Sequence, residues 1–237
     1  MKLTLIIASA IALGTVLAAS RPQRRLLIAG DSTAQTYDTV KTLQRGWGQM
    51  VGAHLGDGYE VVNCAIGGRS TKSFIAEERW QRLLDRTQPG DIVAIQFGHN
   101  DASTKPERHA SYDDYRANLL RMIADVRAAK AQPVLLTSVV MRTFVSGNLT
   151  DDRLRAYPAI MRQVARQQQV PLIDVNVMTR DTVLLLGDEA SKQLYMWIEA
   201  GVDSTYPDGK QDDTHLRAAG ADAVAQYVAR CLKQQFE

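Results

Sequence analysis

Two short stretches near opposite ends of the chain carry the residue types of a serine hydrolase. Ser32 stands in Gly30-Asp31-Ser32-Thr33, and His215 closes Asp212-Asp213-Thr214-His215. A serine hydroxyl is a poor nucleophile at neutral pH and needs a base beside it. An imidazole that takes the proton needs a carboxylate on its other nitrogen, to fix the tautomer and stabilise the imidazolium. Asp212 lies three residues before His215, so a single turn can bring the two side chains together. The adjacent side chain of Asp213 usually points elsewhere, which makes Asp212 the candidate acid.

Acyl transfer also needs donors for the oxyanion of its tetrahedral intermediate. Gly67-Gly68-Arg69-Ser70 has glycines that let the backbone approach a ligand and aim an N–H at it. The same four residues read equally well as a helix entry with Ser70 as N-cap. Asn100, in Gly98-His99-Asn100-Asp101, has a neutral amide that can donate to an oxyanion, or it forms a turn at a strand end. His99 has a weaker claim and reads as structural or site-lining.

These residues need a scaffold that brings distant loops to one rim. Leu26-Leu27-Ile28-Ala29 is a continuous apolar run, suited to a strand buried on both faces. Similar runs recur at Val61-Val62, Ile92 to Ile95, Val134 to Leu136 and Leu172-Ile173. Helical patterns separate them: Trp47 to Leu55, Ser73 to Leu84, Ser111 to Ala131, Arg153 to Gln169 and Arg217 to Gln235. Ser111 with Asp114 suits a capping box with Asp in place of Glu. This alternation predicts an α/β fold with three layers, in which a five-stranded, mostly parallel sheet has helices on both faces. Ligands in such sheets bind beyond the carboxyl ends of the strands, and each polar cluster named above follows a strand or enters the last helix.

The chain has 237 residues, 45% of them hydrophobic, which suits one well-packed domain. Residues 1–20 read as a secretory signal peptide: Lys2, an apolar stretch from Leu3 to Leu17, then Ala18-Ala19-Ser20. The single domain then runs over residues 21–237, and the protein is expected to be secreted or periplasmic. The apolar stretch is short for a membrane span of about 20 residues, so no membrane attachment is expected after its removal. The formal charge is +2, with both signs interspersed, which is no nucleic-acid footprint. Cys64 and Cys231 are too few for a disulfide framework; they read as a pair or as two buried thiols. Asn148-Leu149-Thr150 is a glycosylation sequon.

In this order, Gly30-Asp31-Ser32, Gly68, Gly98-His99-Asn100-Asp101 and Asp212-x-x-His215 resemble the four blocks of the SGNH (GDSL-type) hydrolases, over nearly the whole chain after residue 20. Gly30 to Thr33, Asn63-x-Ala65-x-Gly67-Gly68-Arg69-Ser70 and Asp212-x-Thr214-His215 resemble the rhamnogalacturonan acetylesterase group, carbohydrate esterase family 12. The resemblance implies a flavodoxin-like SGNH fold, Ser32 as nucleophile, and Asp212 and His215 as its partners. It implies an oxyanion hole from the Ser32 and Gly68 N–H groups and the Asn100 side chain. No metal or organic cofactor is implied. The expected substrate is an acetylated polysaccharide or oligosaccharide, handled by a monomer, with Arg69, His99 and Trp197 as candidate contacts to it. Trp47 and Trp80 read as core. Asp-Ser-Thr in place of the Asp-Ser-Leu of the lipolytic branch favours carbohydrate. The alternatives are another SGNH activity (lipase, thioesterase or lysophospholipase), a non-catalytic carbohydrate-binding protein, and a metal hydrolase built on His99, His109 and His215, whose spacing lacks paired ligands.

Overall fold

A computed structural model describes residues 23–150 and 153–237. The expected leader, residues 1–20, lies outside the described residues. The elements run β1 (Arg24–Gly30), β2 (Gln44–Arg45), α1 (Trp47–Leu55), β3 (Tyr59–Asn63), α2 (Thr71–Ala76), α3 (Arg79–Leu84), β4 (Ile92–Gln96) and α4 (Tyr112–Ala128). They continue with β5 (Gln132–Leu136), β6 (Thr143–Val145), β7 (Asn148–Thr150), α5 (Tyr157–Gln168), β8 (Leu172–Ile173), α6 (Val175–Ser191), β9 (Leu216–Arg217) and α7 (Ala218–Phe236).

Five strands form one parallel sheet in the order β3-β1-β4-β5-β8. Its continuous apolar runs follow from burial on both faces. Leu26 and Ile28 of β1 join a core with Trp47 and Val51 of α1 and with Val224 and Val228 of α7. Leu27 and Ala29 face the other way, onto Phe74 of α2, Trp80 of α3, Leu119 of α4 and Met161 of α5. Each such aliphatic side chain contributes roughly 1.5–3 kcal/mol by burial. The result is the expected three-layer α/β/α fold. The chain leaves β1 for β3 on one side and then crosses to β4 on the other. The reversal opens a crevice at the carboxyl ends of β1 and β4, where Ser32 and Asn100 follow their strands.

Several local expectations are corrected. The single helix expected over Ser73 to Leu84 is two helices, broken where Glu78 adopts a left-handed φ of 57°. The first begins at Thr71, because Ser70 caps it: the Ser73 N–H donates to Ser70 Oγ at 3.1 Å, and Ser73 Oγ accepts from the Ser70 N–H at 2.9 Å. At the break, Glu77 pairs with Arg69 and Arg79 instead of facing the core. The helix expected from Arg153 starts at Tyr157 with Pro158 in its first turn, the position where a missing N–H costs nothing. Helix α6 has no counterpart in the sequence pattern. It leaves Val177, Leu184 and Leu185 exposed and is interrupted at Gly187, φ 72°, so its apolar periodicity is weak. Cys64 and Cys231 are half-buried free thiols packed on opposite faces of the sheet. Among the described residues no helix is long and apolar enough to cross a membrane.

Candidate active site

The nucleophile candidate is presented by a turn built from local residues. After β1 the Ala34 and Gln35 N–H groups return to the Asp31 carbonyl, at 3.2 and 3.1 Å. The Asp31 carboxylate accepts the Thr33 N–H at 2.9 Å, the i to i+2 pattern that makes Asp a turn residue. The Tyr37 hydroxyl donates to the Ser32 carbonyl at 2.8 Å. Ser32 thus stands on a braced turn at the sheet rim, 8% exposed.

The base candidate arrives from the far end of the chain. Strand β2, which follows the Ser32 loop, pairs antiparallel with β9, which follows His215 directly. The His215 carbonyl also accepts the Met196 N–H at 2.9 Å. This arrangement sets His215 Nε2 3.0 Å from Ser32 Oγ and His215 Nδ1 2.8 Å from Asp212 Oδ2. The other Asp212 oxygen accepts the Thr214 and His215 N–H groups, at 2.9 and 3.0 Å. Burial pushes the Asp212 pKa up, but the His215 hydrogen bond and charge and these two N–H groups outweigh it. They hold the carboxyl well below the usual range. With Nδ1–H donating to a carboxylate, Nε2 is left to accept the Ser32 proton. Asp213 faces away: its Oδ1 accepts Trp197 Nε1 at 2.7 Å and Arg142 Nε at 2.9 Å. Asp174 caps α6 and pairs with Arg162.

The oxyanion candidates line the same rim. Gly68 has φ 78°, a left-handed conformation open to glycine. At Gly67 a side chain would meet Gln35 Oε1 at 2.8 Å and Ser32 Cβ at 3.4 Å, so a larger residue there would displace the Gln35 side chain from the serine loop. The Gly67 N–H donates to that Gln35 oxygen. Asn100 Nδ2 donates to the Arg69 carbonyl at 3.1 Å, which joins the two oxyanion loops and leaves a second N–H on the amide. Asp101 ties them again: its Oδ1 accepts the Thr71 N–H at 3.0 Å and the Thr71 hydroxyl at 2.5 Å. Among the described residues neither the Ser32 nor the Gly68 N–H donates to a protein acceptor. A hydroxyl beside a base that an ionised acid orients, with candidate oxyanion donors on the adjoining Gly68 and Asn100 loops, is an arrangement that can carry out acyl transfer.

Residues 28–223 match the model of the GDSL-like Lipase/Acylhydrolase family. The chain belongs to that family. It is by family a carboxylic ester hydrolase, as its four ordered blocks implied. This GDSL-like hydrolase is 35% identical over 210 residues to rhamnogalacturonan acetylesterase RhgT of Bacillus subtilis (strain 168), covering 89% of this chain and 90% of that protein. It is 38% identical over 216 residues to the probable rhamnogalacturonan acetylesterase YesY of the same organism, covering 88% and 92%. Among solved structures, protein YxiM of Bacillus subtilis matches with a TM-score of 0.75 at 29% identity, over 90% of this chain and 57% of that one. The acetylxylan esterase Axe2 of Geobacillus stearothermophilus has a TM-score of 0.66 at 18% identity, over 89% and 94%, a likeness of fold.

The hydrolase places the three substrate-contact candidates differently. Arg69 is half-buried and engaged, donating to Glu77 at 3.0 Å and to the Gly67 carbonyl at 2.9 Å. His99 is 4% exposed, within the wall of the site rather than on its rim. Burial, aided by the charges of His215 and Arg153, lowers its pKa against the pull of Asp31, which favours the neutral ring. Trp197 lies beside the His215 loop, but its ring carries the Arg142 guanidinium at 4.7 Å and the Lys192 ammonium at 4.6 Å from its centre. Trp47 and Trp80 are core, with Nε1 donating to Gln96 at 2.6 Å and Asp125 at 2.9 Å. Among the described residues no three His, Cys, Asp or Glu side chains gather as metal ligands. Sequence reasoning missed Arg142, 2% exposed, which clasps Asp213 and Asp188. It also missed Gln35 and Tyr37, which brace the serine turn. A lone arginine after an apolar run was the available signal for Arg142.

Proposed function

We propose that this hydrolase removes O-acetyl groups from a plant cell-wall polysaccharide such as rhamnogalacturonan, as an exported monomer. The observation that carries the chemistry is the continuous chain from Ser32 Oγ through His215 to Asp212, at 3.0 and 2.8 Å. Ser32 Oγ attacks the acetyl carbonyl carbon as its proton passes to His215 Nε2. The oxyanion is held by the Ser32 and Gly68 N–H groups and Asn100 Nδ2. His215 then protonates the departing sugar oxygen, which leaves an acetyl-serine. Water, deprotonated by His215, attacks that ester and releases acetate, and the proton returns to Ser32. Acetyl as the acyl group and rhamnogalacturonan as the polymer are supported by the names of the two relatives that align over about nine-tenths of the chain. Export is supported by the sequence of residues 1–20 alone.

The test is acetate release from a panel of acetylated rhamnogalacturonan, homogalacturonan and xylan, with Ser32→Ala as control. Release from rhamnogalacturonan above the others, abolished in Ser32→Ala, is expected. Near-wild-type release by Ser32→Ala would falsify the nucleophile, and preference for octanoyl over acetyl p-nitrophenyl esters would overturn the carbohydrate reading.

A further inference from the structure

The candidate triad acid has a cationic neighbour. Lys210 Nζ lies 3.4 Å from Asp212 Oδ2, the same oxygen that meets His215 Nδ1 at 2.8 Å. With one oxygen between them, the ammonium and the imidazole are no more than about 6 Å apart. The local backbone brings the lysine there. The Lys210 N–H donates to the Ile198 carbonyl and the Ile198 N–H donates to the Lys210 carbonyl, both at 2.8 Å. Gly209, φ 75°, permits this pairing, since a side chain on it would meet the Ile198 carbonyl oxygen at 2.6 Å.

The lysine also joins the acid to the serine loop. Its ammonium lies 5.4 Å from the centre of the Tyr206 ring, within reach of a cation–π contact. Tyr206 Oη is 2.6 Å from Thr42 Oγ1, which accepts the Gln44 N–H at 3.0 Å. Gln44 Nε2 donates to the Tyr37 hydroxyl at 2.6 Å, the group that holds the Ser32 carbonyl.

Other charged groups near the pair are engaged elsewhere or neutral. Arg142 meets Asp213 and Asp188, and Arg217 donates to the Trp197 carbonyl at 3.4 Å. Of the acids that share the ≈ 630 Å³ cavity with Lys210, Glu189 holds Lys192 at 2.8 Å, while Lys210 pairs with Asp212 rather than with Glu199 or Asp208. From the serine loop Tyr37 faces Asp212; burial, with the charges of Asp31 and Asp212, pushes its hydroxyl well above its ordinary range. From the end of β4 the buried His99 feels both His215 and Asp31.

We propose that Lys210 is a positioning residue of the triad: its ammonium shares Asp212 Oδ2 with His215, and this sets the base to work at a lower pH. A proton on His215 places a second positive charge on a carboxylate that already carries one. Lys210 therefore opposes that proton, and the imidazole stays neutral, able to accept from Ser32, further into the acid range. A unit charge about 6 Å away in a nearly aqueous dielectric moves a titration by about half a unit. The pair is only 29% and 16% exposed, so the effect survives ordinary salt. The inference rests on the reading of Ser32, His215 and Asp212 as nucleophile, base and acid.

The test is the pH profile of kcat/KM on a soluble acetyl ester, whose acid limb reports protonation of the base in the free enzyme. Lys210→Met is expected to move that limb up by about half a unit, roughly a threefold loss of activity on the limb. Lys210→Arg, which keeps the charge, and Lys192→Met, which removes a cation already held by Glu189, are expected to leave it in place. An unmoved or lowered limb in Lys210→Met, or an equal rise in either control, overturns the role. Should Lys210→Met fail to fold, Lys210→Gln takes its place with the same shift expected and the same results overturning it. Acetyl-ester hydrolysis that survives in Ser32→Ala, or a wild-type profile without an acid limb, would overturn the triad reading and this role with it. A limb that is present but unmoved overturns the role of Lys210 alone.

Discussion

The two neighbouring aspartates before His215 have different partners, and that difference decides what each contributes. Asp212 meets the imidazole and two N–H groups, whereas Asp213 meets a guanidinium and an indole. Replacing Asp212 by Asn removes the charge that stabilises the imidazolium and lets Nδ1 take the wrong tautomer. A loss in kcat of about 10⁴-fold is expected, the scale seen for the equivalent change in a studied protease. Asp213→Asn keeps the oxygen that Trp197 donates to and weakens only the Arg142 pairing. Its kcat on an acetyl ester is expected to fall less than tenfold, with a lower melting temperature. Comparable kcat losses in the two variants would show that Asp212 is not the triad acid. This discrimination was legible in the sequence because it is local: i and i+3 meet on one turn, and adjacent residues diverge. Gly68 and Asn100 read as candidate donors only in the company of the other blocks. The brace of Tyr37 and Gln35 on the serine loop was not legible, since a Gln or Tyr in a polar loop carries no spacing signal.

At the level of elements, two small features hold the His215 loop in place. One is the pairing of β2 with β9, only two residues long on each side. The other is the Arg142 clasp. The Arg142 guanidinium is buried between Asp188 on α6 and Asp213, and lies over Phe144 and Trp197. Arg142→Ala leaves Asp213 half-buried without its cation and Trp197 with only the Lys192 ammonium over its ring. A loss of about 1–3 kcal/mol is expected, moderated because Asp188 is 46% exposed. At about 2–4 °C per kcal/mol for a chain of this size, thermal unfolding should show a fall of roughly 2–12 °C. Activity should fall with it, because the same loop carries the base. A melting temperature unchanged within a degree would show that the clasp is not structural. The long elements are legible because each buries a full apolar face: β1, β4, β5, α4 and α7 repeat their hydrophobic residues at strand or helix spacing. Helix α6 escapes because it is half-exposed and broken at Gly187. The β2–β9 pair escapes because two-residue strands have no period, and their partnership is a fact of tertiary distance.

For the molecule as a whole, acids pushed in opposite directions shape the dependence of stability on pH. Burial raises the pKa of Asp101 from its ordinary 3.8 to about 7, with the Thr71 hydrogen bonds opposing. Asp212 and Asp174 move the other way. Burial raises both, but His215 and the backbone outweigh it for the first, and Arg162 and Thr137 for the second. A lowered acid stabilises the fold above its unfolded pKa, and that stabilisation is lost as pH falls through the folded value. A raised acid stabilises relative to its ionised form below the unfolded pKa, and that advantage is lost as pH rises through the folded value. The two lowered acids therefore weaken the fold below about pH 4, the unfolded value for Asp. Asp101 weakens it progressively from there to about pH 7. The melting temperature should be greatest in the mildly acid range. Asp101→Asn isolates the upper limb, because an amide keeps an acceptor for Thr71 and cannot ionise. The unpartnered second carboxylate oxygen becomes a buried amide nitrogen, a cost that does not vary with pH. The difference in melting temperature, variant minus wild type, should thus climb between about pH 4 and 7 and stay level above. Each tenfold change in the proton affinity of Asp101 on folding corresponds to about 1.4 kcal/mol, or about 3–6 °C here. A difference that stays flat across that window would mean that Asp101 is ionised throughout. The joint between the Gly68 and Asn100 loops would then be held by a full charge and not by a shared proton.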